Sequence, residues 1–202
     1  MKETSSQSQR LLRLAKKQPL IRAKDFELAG ISSMTITRAG RAKQLERVNR
    51  GVYRRLDAPW DENLSLSEVA ALAPQAVIVL ISALNFHHIG THQAHSVWIQ
   101  IKGNAVTPRV DYPPIEVVRT TNARAFTEGG VIHKLNGIPV PITSPARSVA
   151  DCFKYRNRLG LELCIEALRE VIREHAKPAE VLEYAAMNRV ENIMIPYLEV
   201  LS

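Results

Sequence analysis

No apolar run in this chain approaches the roughly 18 residues that a membrane span needs. The longest, Ala76 to Leu84, is broken by Ser82. The basic N-terminus, MKETSSQSQRLLRLAKK, has no apolar core of the kind a secretory signal carries, so no signal peptide is expected. Cysteine is scarce. Cys152 and Cys164 stand 12 apart without CxxC spacing, which fits buried thiols in a reducing cytoplasm better than a disulfide or a zinc site. No GxxxxGK[ST] or GxGxxG occurs, so no nucleotide cofactor is indicated. Ser82, Ser144 and Ser148 lack a GxSxG setting. There is no internal repeat and no low-complexity tract.

What is present is ordinary in amount and uneven in placement. The 202 residues are 46% hydrophobic and 23% charged, enough for one large domain or two small ones. The net charge is +7, and residues 1–58 carry 14 Lys/Arg against five Asp/Glu, whereas residues 59–202 carry 13 against 15. All the excess positive charge therefore lies in the first third. That distribution suits either a small domain that meets a polyanion or a basic solubilising face.

The pattern inside that third favours the polyanion. Helical periodicity runs from about Ser6 to Lys17 and stops at Pro19. Leu20–Ile21 reads as a short extended piece, and a second helix starts near Ala23 and ends at Gly30. Ser32 or Ser33 can cap a third helix to about Ala42. LERV and VYRRL then read as two strands joined around Asn49-Arg50-Gly51. Three short helices followed by a hairpin is the order of a winged helix-turn-helix. Residues 57–63 read as a linker, which predicts a DNA-binding domain over 1–58 and a second domain over 59–202.

On a helical wheel the third helix divides cleanly. Ala39 and Gly40 lie within about 60° of Ile36 and can dock, while Met34, Arg38 and Arg41 lie within about 40° of the opposite pole, with Thr37 beside them. Arginine can grip guanine through O6 and N7, and Thr or Met can touch a thymine methyl. Ser33, Thr35 and Lys43 border that face. Arg47, Arg50, Arg54 and Arg55 lie on or beside the hairpin, with Arg50 at its tip, where they can reach phosphates or a minor groove. Tyr53 reads as a core or hinge aromatic. The expected partner is double-stranded DNA.

The second domain reads as α+β. Helices are expected at about 66–73 and 75–88, strands at 96–102, 113–121, 130–135 and 138–143, and helices again at 146–158, 161–176, 178–188 and 191–201. His87, His88, His92 and His95 cluster, but no Asp or Glu lies between residues 69 and 110, so no metal site is expected. Arg147 and Asp151 at i,i+4 suit an ion pair on a helix or a buried tie to a neighbouring sheet. Glu116 and Glu128 would have to join Asp151 to make a nuclease-like centre, and no catalytic residue is expected. In the helix from Leu161, Leu161, Cys164, Ile165, Leu168, Val171 and Ile172 form an apolar stripe, either core or a partner surface.

The chain resembles the AbiEi antitoxin family of bacterial type IV toxin–antitoxin systems, in its proteobacterial branch. The resemblance is carried by Gly30-Ile31, Ser32-Ser33, Thr37-Arg38, Leu45-Glu46-Arg47-Val48 and Arg50-Gly51-Val52-Tyr53, in register without gaps. In the second domain it continues through LISALNFHHIGTH (80–92), VWI (97–99), DYPP (111–114), TEGG (127–130) and ARSVADCFKYRNRLGL (146–161). Lys43-Gln44 stand where members often carry Gly-Leu, and Ala39 where a Leu is common. Both departures thin the docking stripe. The resemblance implies a winged helix followed by an α+β antitoxin domain. It also implies repression of the protein's own operon and neutralisation of a nucleotidyltransferase-like toxin, with no direct contact assumed. A winged-helix regulator whose second domain senses a ligand or partner, unconnected with a toxin, is the alternative. Monomer and dimer remain open, and the cytoplasm is the expected location.

Overall fold

The computed structural model describes residues 6–201, and the chain divides into two compact units. The first runs to Pro74 and takes in residues 108–113 and 134–140; the second holds the rest.

In the first unit, α1 (Gln7–Lys17) opens on a capping box: Gln9 N–H donates to Ser6 Oγ at 3.2 Å, and Ser6 N–H to Gln9 Oε1 at 3.0 Å. It buries Leu11 and Ala15. After Pro19 come β1 (Leu20–Arg22) and α2 (Ala23–Leu28), whose buried residue is Phe26. Gly30, at φ +65°, turns the chain into α3 (Ser33–Arg41), where Ser32 Oγ accepts from Thr35 N–H. Strands β2 (Leu45–Asn49) and β3 (Val52–Arg55) follow, with Gly51 at φ +73° between them. The antiparallel order is β1-β3-β2. Leu11, Ala15, Ile21, Phe26, Ile31, Ile36, Ala39 and Leu45 form the core, with Tyr53 packed against it.

Alternation along a strand sends Ile21 and Tyr53 to that core, and Leu20, Val52 and Arg54 to the other face of the sheet. α4 (Leu64–Leu72) packs against β1 and β3 there, burying Leu66, Val69 and Ala70. The compact unit that contains the winged helix thus reaches past residue 58.

The second unit is a mixed sheet with helices. Its strands are β4 (Val77–Ile78), β5 (Val97–Lys102), β6 (Ile115–Thr120), β7 (Gly130–Leu135) and β8 (Ile138–Thr143), in the order β6-β5-β4-β8-β7. The turn end of the β7–β8 hairpin clusters with the first unit. β4 is antiparallel to β5 and parallel to β8, and β5 is parallel to β6. α5 (Leu80–Phe86) follows β4. After β8 come α6 (Pro145–Lys154), α7 (Arg156–Leu159), α8 (Leu161–Glu174), α9 (Pro178–Asn188) and α10 (Glu191–Leu201). α6 is buried from Ala146 to Phe153, packed against α5, α8 and α9.

Two expected elements differ. The helix expected over 75–88 is a strand followed by a shorter helix. Val77 and Ile78 lie inside the sheet, Leu80 takes φ +53°, and α5 begins only there. A wholly buried apolar run carries no period to separate strand from helix. The helix expected over 146–158 breaks at Tyr155 into α6 and α7.

Candidate nucleic-acid interface

The first unit presents α3 by one edge. Ile36 and Ala39 are its buried side chains, while Ser33, Met34, Thr37, Arg38 and Arg41 are exposed. Thr37 Oγ1 donates back to Ser33 O at 3.0 Å, and Arg38 Nη2 lies 3.5 Å from Met34 Sδ. Neither Arg38 nor Arg41 joins an ion pair among the described residues. Thr35 is turned away from them, its hydroxyl donating to Gln7 Oε1 of α1 at 2.8 Å. Lys43 is exposed at φ +54° in the turn that leaves α3.

The hairpin divides its arginines. Arg50 is exposed at the tip, which is held by Asn49: Asn49 Oδ1 accepts from Arg50 N–H at 2.8 Å, and Asn49 Nδ2 donates to Tyr112 O at 3.2 Å. Arg47 is exposed, its Nε donating to Asn49 O at 3.3 Å. Arg54 and Arg55 are engaged within the unit. Arg54 Nε donates to Glu46 Oε1 at 2.6 Å, and on the α4 side its charge acts on the buried Glu68. Burial pushes the Glu68 carboxyl above its ordinary 4.5, with Arg54 opposing the rise and Glu46 adding to it. Arg55 Nη1 reaches Ala15 O at 3.4 Å, and its Nε sits 2.5 Å from Asp57 Oδ1. Tyr53 meets Phe26 edge-on, ring centroids 5.6 Å apart. The roles of Gln7 and Asn49 were not anticipated; a polar residue in a first helical turn or a hairpin turn carries no periodic signal.

Residues 9–55 match the protein family described as transcriptional regulator, AbiEi antitoxin. The AbiEi match begins within α1 and closes on the last residue of β3, so it takes in the three helices and the hairpin and leaves out α4. The fold is also similar to the crystal structure of the RV2827C protein from Mycobacterium tuberculosis. Identity is 13% and the TM-score 0.57, over 96% of this chain and 80% of that one. No curated protein matches the chain.

In the second unit, His88 and His95 are exposed, while the other charged and imidazole groups considered for chemistry are engaged with neighbouring groups. Arg147 and Asp151 are both buried, Nε to Oδ2 3.0 Å, and Arg147 also donates to the carbonyls of Glu128 and Ala125, while Asp151 Oδ1 accepts from Asn188. Burial raises the Asp151 carboxyl above its ordinary 3.8, against the pull of Arg147 and Asn188. Glu128 pairs with Arg124 and Glu116 with Arg158. His87 Nε2 is 2.8 Å from Thr143 O, and His92 Nδ1 3.4 Å from Glu166. Among the described residues, the group spaced to hold a metal ion is Glu170, Glu174 and His175, mostly exposed and containing none of the four clustered histidines. Burial raises both thiols, Cys164 to about 11, and Cys164 Sγ donates to Cys152 O at 3.2 Å. On α8 the buried stripe is Leu163, Cys164, Ala167, Leu168 and Val171, so Leu161, Ile165 and Ile172 lie at its margins. No helix among the described residues is long and apolar enough to cross a membrane.

Proposed function

We propose that this protein is a DNA-binding antitoxin that represses its own operon and counteracts a nucleotidyltransferase-like toxin of a type IV system. In this reading residues 1–58 bind the operator, residues 59–202 carry antitoxicity, and both act in the cytoplasm. The observation that carries the DNA half is the exposed α3 face, where Arg38 and Arg41 form no ion pair among the described residues and stand beside Met34 and Thr37. Ser33 and Lys43 extend that face, and Arg47 and Arg50 flank it with phosphate-reaching cations. The match of residues 9–55 to a family of transcriptional regulators and AbiEi antitoxins supports the same reading. The toxin half rests on the motifs of the second domain. A palindromic operator would engage two copies of the winged helix.

The test is titration onto a labelled fragment of the protein's own upstream region, with an unrelated fragment as competitor, at several salt concentrations. Preference for the upstream fragment is expected, weakening with salt. Arg38→Ala with Arg41→Ala should remove the preference while leaving weak, salt-dependent binding to both fragments. Equal, weak binding of the wild type to both fragments overturns the repressor. For the toxin half, this chain should restore growth to cells expressing the neighbouring gene; absence of any growth arrest from that gene overturns it.

A further inference from the structure

α3 is held to its unit by very little apolar surface. Ile36 and Ala39 are its buried side chains, one of them a single methyl, and Gly40 adds none. So small a seam sets the rotation of a helix about its own axis only loosely. The N-terminal end is instead fixed by a closed ring of hydrogen bonds to α1. Gln7 Oε1 accepts from Ser32 N–H at 3.0 Å and from Thr35 Oγ1 at 2.8 Å. Ser32 Oγ accepts from Thr35 N–H at 3.3 Å and lies 3.0 Å from Thr35 Oγ1. The amide orientation of Gln7 follows, because a backbone N–H can only donate. Thr35 has one hydroxyl proton, and it is spent on Gln7; the Ser32 hydroxyl therefore donates to Thr35. One turn along α1, Arg10 Nη2 donates to Gly30 O at 3.0 Å, so α1 grips both ends of the corner that delivers α3.

We infer that Gln7 is a positioning residue for the DNA-reading face, and that Thr35 acts through Gln7 rather than on a base. The inference rests on the DNA-binding reading above. Base contacts by Arg38, Arg41 and Met34 require a fixed helix orientation, whereas phosphate attraction tolerates a loose one. Gln7 is neutral, so losing it releases no counterion difference and leaves the salt slope alone. Its loss shows in the ratio of operator to unrelated-DNA affinity.

The experiment uses the full chain with Gln7→Met and Thr35→Val, singly and together, each keeping the side-chain shape while removing one member of the bond. Gln7→Glu keeps the acceptor oxygen. Circular dichroism melts establish that every variant folds. The affinity ratio should fall about tenfold in each single variant, and no further in the double, with unrelated-DNA binding and salt slope unchanged. Gln7→Glu should weaken binding to both DNAs alike through its charge and keep the ratio. A wild-type ratio in Gln7→Met, or losses that multiply in the double variant, overturns the inference. A wild-type protein with no operator preference overturns the DNA-binding reading itself, before any variant is compared.

Discussion

Lys43→Gly should make this protein more stable, though it removes a side chain rather than adding a contact. α3 ends in a Schellman motif: Lys43 N–H donates to Gly40 O and Gln44 N–H to Ala39 O, each at 3.0 Å. The position between them needs a left-handed backbone, and Lys43 supplies it at φ +54°. A residue with a Cβ is disfavoured there by about 1–2 kcal/mol. Glycine escapes that cost but loses about 0.5–1 kcal/mol more backbone entropy on folding. The difference is a gain of about 0.5–1 kcal/mol, which in a chain of this size raises the melting temperature by about 1–4 °C. Lys43→Ala is the control, because it removes the same charge and keeps the strain. Thermal melts of the three proteins, with urea midpoints, decide the matter. If Lys43→Gly is no more stable than Lys43→Ala, the strain argument is wrong. The lysine reads as a cation placed beside the α3 face at some expense in stability, and both variants should lose about 0.9 in salt slope if it meets a phosphate.

Asp151→Ala should cost about 3–5 kcal/mol by chemical denaturation, because it leaves Arg147 charged and buried; a loss below about 1 kcal/mol would mean that water reaches the site. Acid sensitivity should come partly from His87. Burial lowers its pKa below the ordinary 6.5, outweighing the Thr143 carbonyl that raises it. The unfolded chain then takes up the proton first, so stability present above 6.5 is lost as pH falls toward the lower folded value. Compared by urea midpoints at about pH 7.5 and about pH 5.5, His87→Gln should fall less than the wild type; an equal fall would assign the sensitivity elsewhere.

The winged helix was legible almost residue by residue because its signals are local. Ser6 and Ser32 cap, Pro19 stops a helix, and Gly30 and Gly51 turn with positive φ. The α3 face was legible too, since one wheel separates Ile36 and Ala39 from Arg38 and Arg41. What escaped depends on distant partners. β4 is a strand because β5 and β8 flank it, and nothing within residues 76–84 records that. The burial of Arg147 with Asp151 needs α9 to bring Asn188 and the 3-10 turn at 123–126 to bring the Ala125 carbonyl. The sequence allowed an ion pair on the helix or a buried tie to the sheet. Packing buries the pair, but ties it to the 3-10 turn, the Glu128 carbonyl and α9 rather than to a strand.

The same dependence on distant partners limits the charge available for DNA. Residues 31–55 contain seven cations, and a count of sequence charge alone would set a salt slope near −6.3, at about 0.9 per phosphate. The wing sheet is covered on both faces, however, by α1–α3 on one and α4 on the other. Cations at alternate positions of β3 therefore meet protein whichever way they point. Arg54 is drawn to Glu46 beside α4, and Arg55 to Asp57 and the end of α1. Arg38, Arg41, Lys43, Arg47 and Arg50 are left facing outward, so these residues support a slope no steeper than about −4.5 per bound copy. Arg54→Ala should then leave the slope unchanged while lowering stability, by stripping the countercharge from Glu46 and Glu68. A slope that drops by about 0.9 in that variant would show that Arg54 leaves its carboxylates to grip the phosphate.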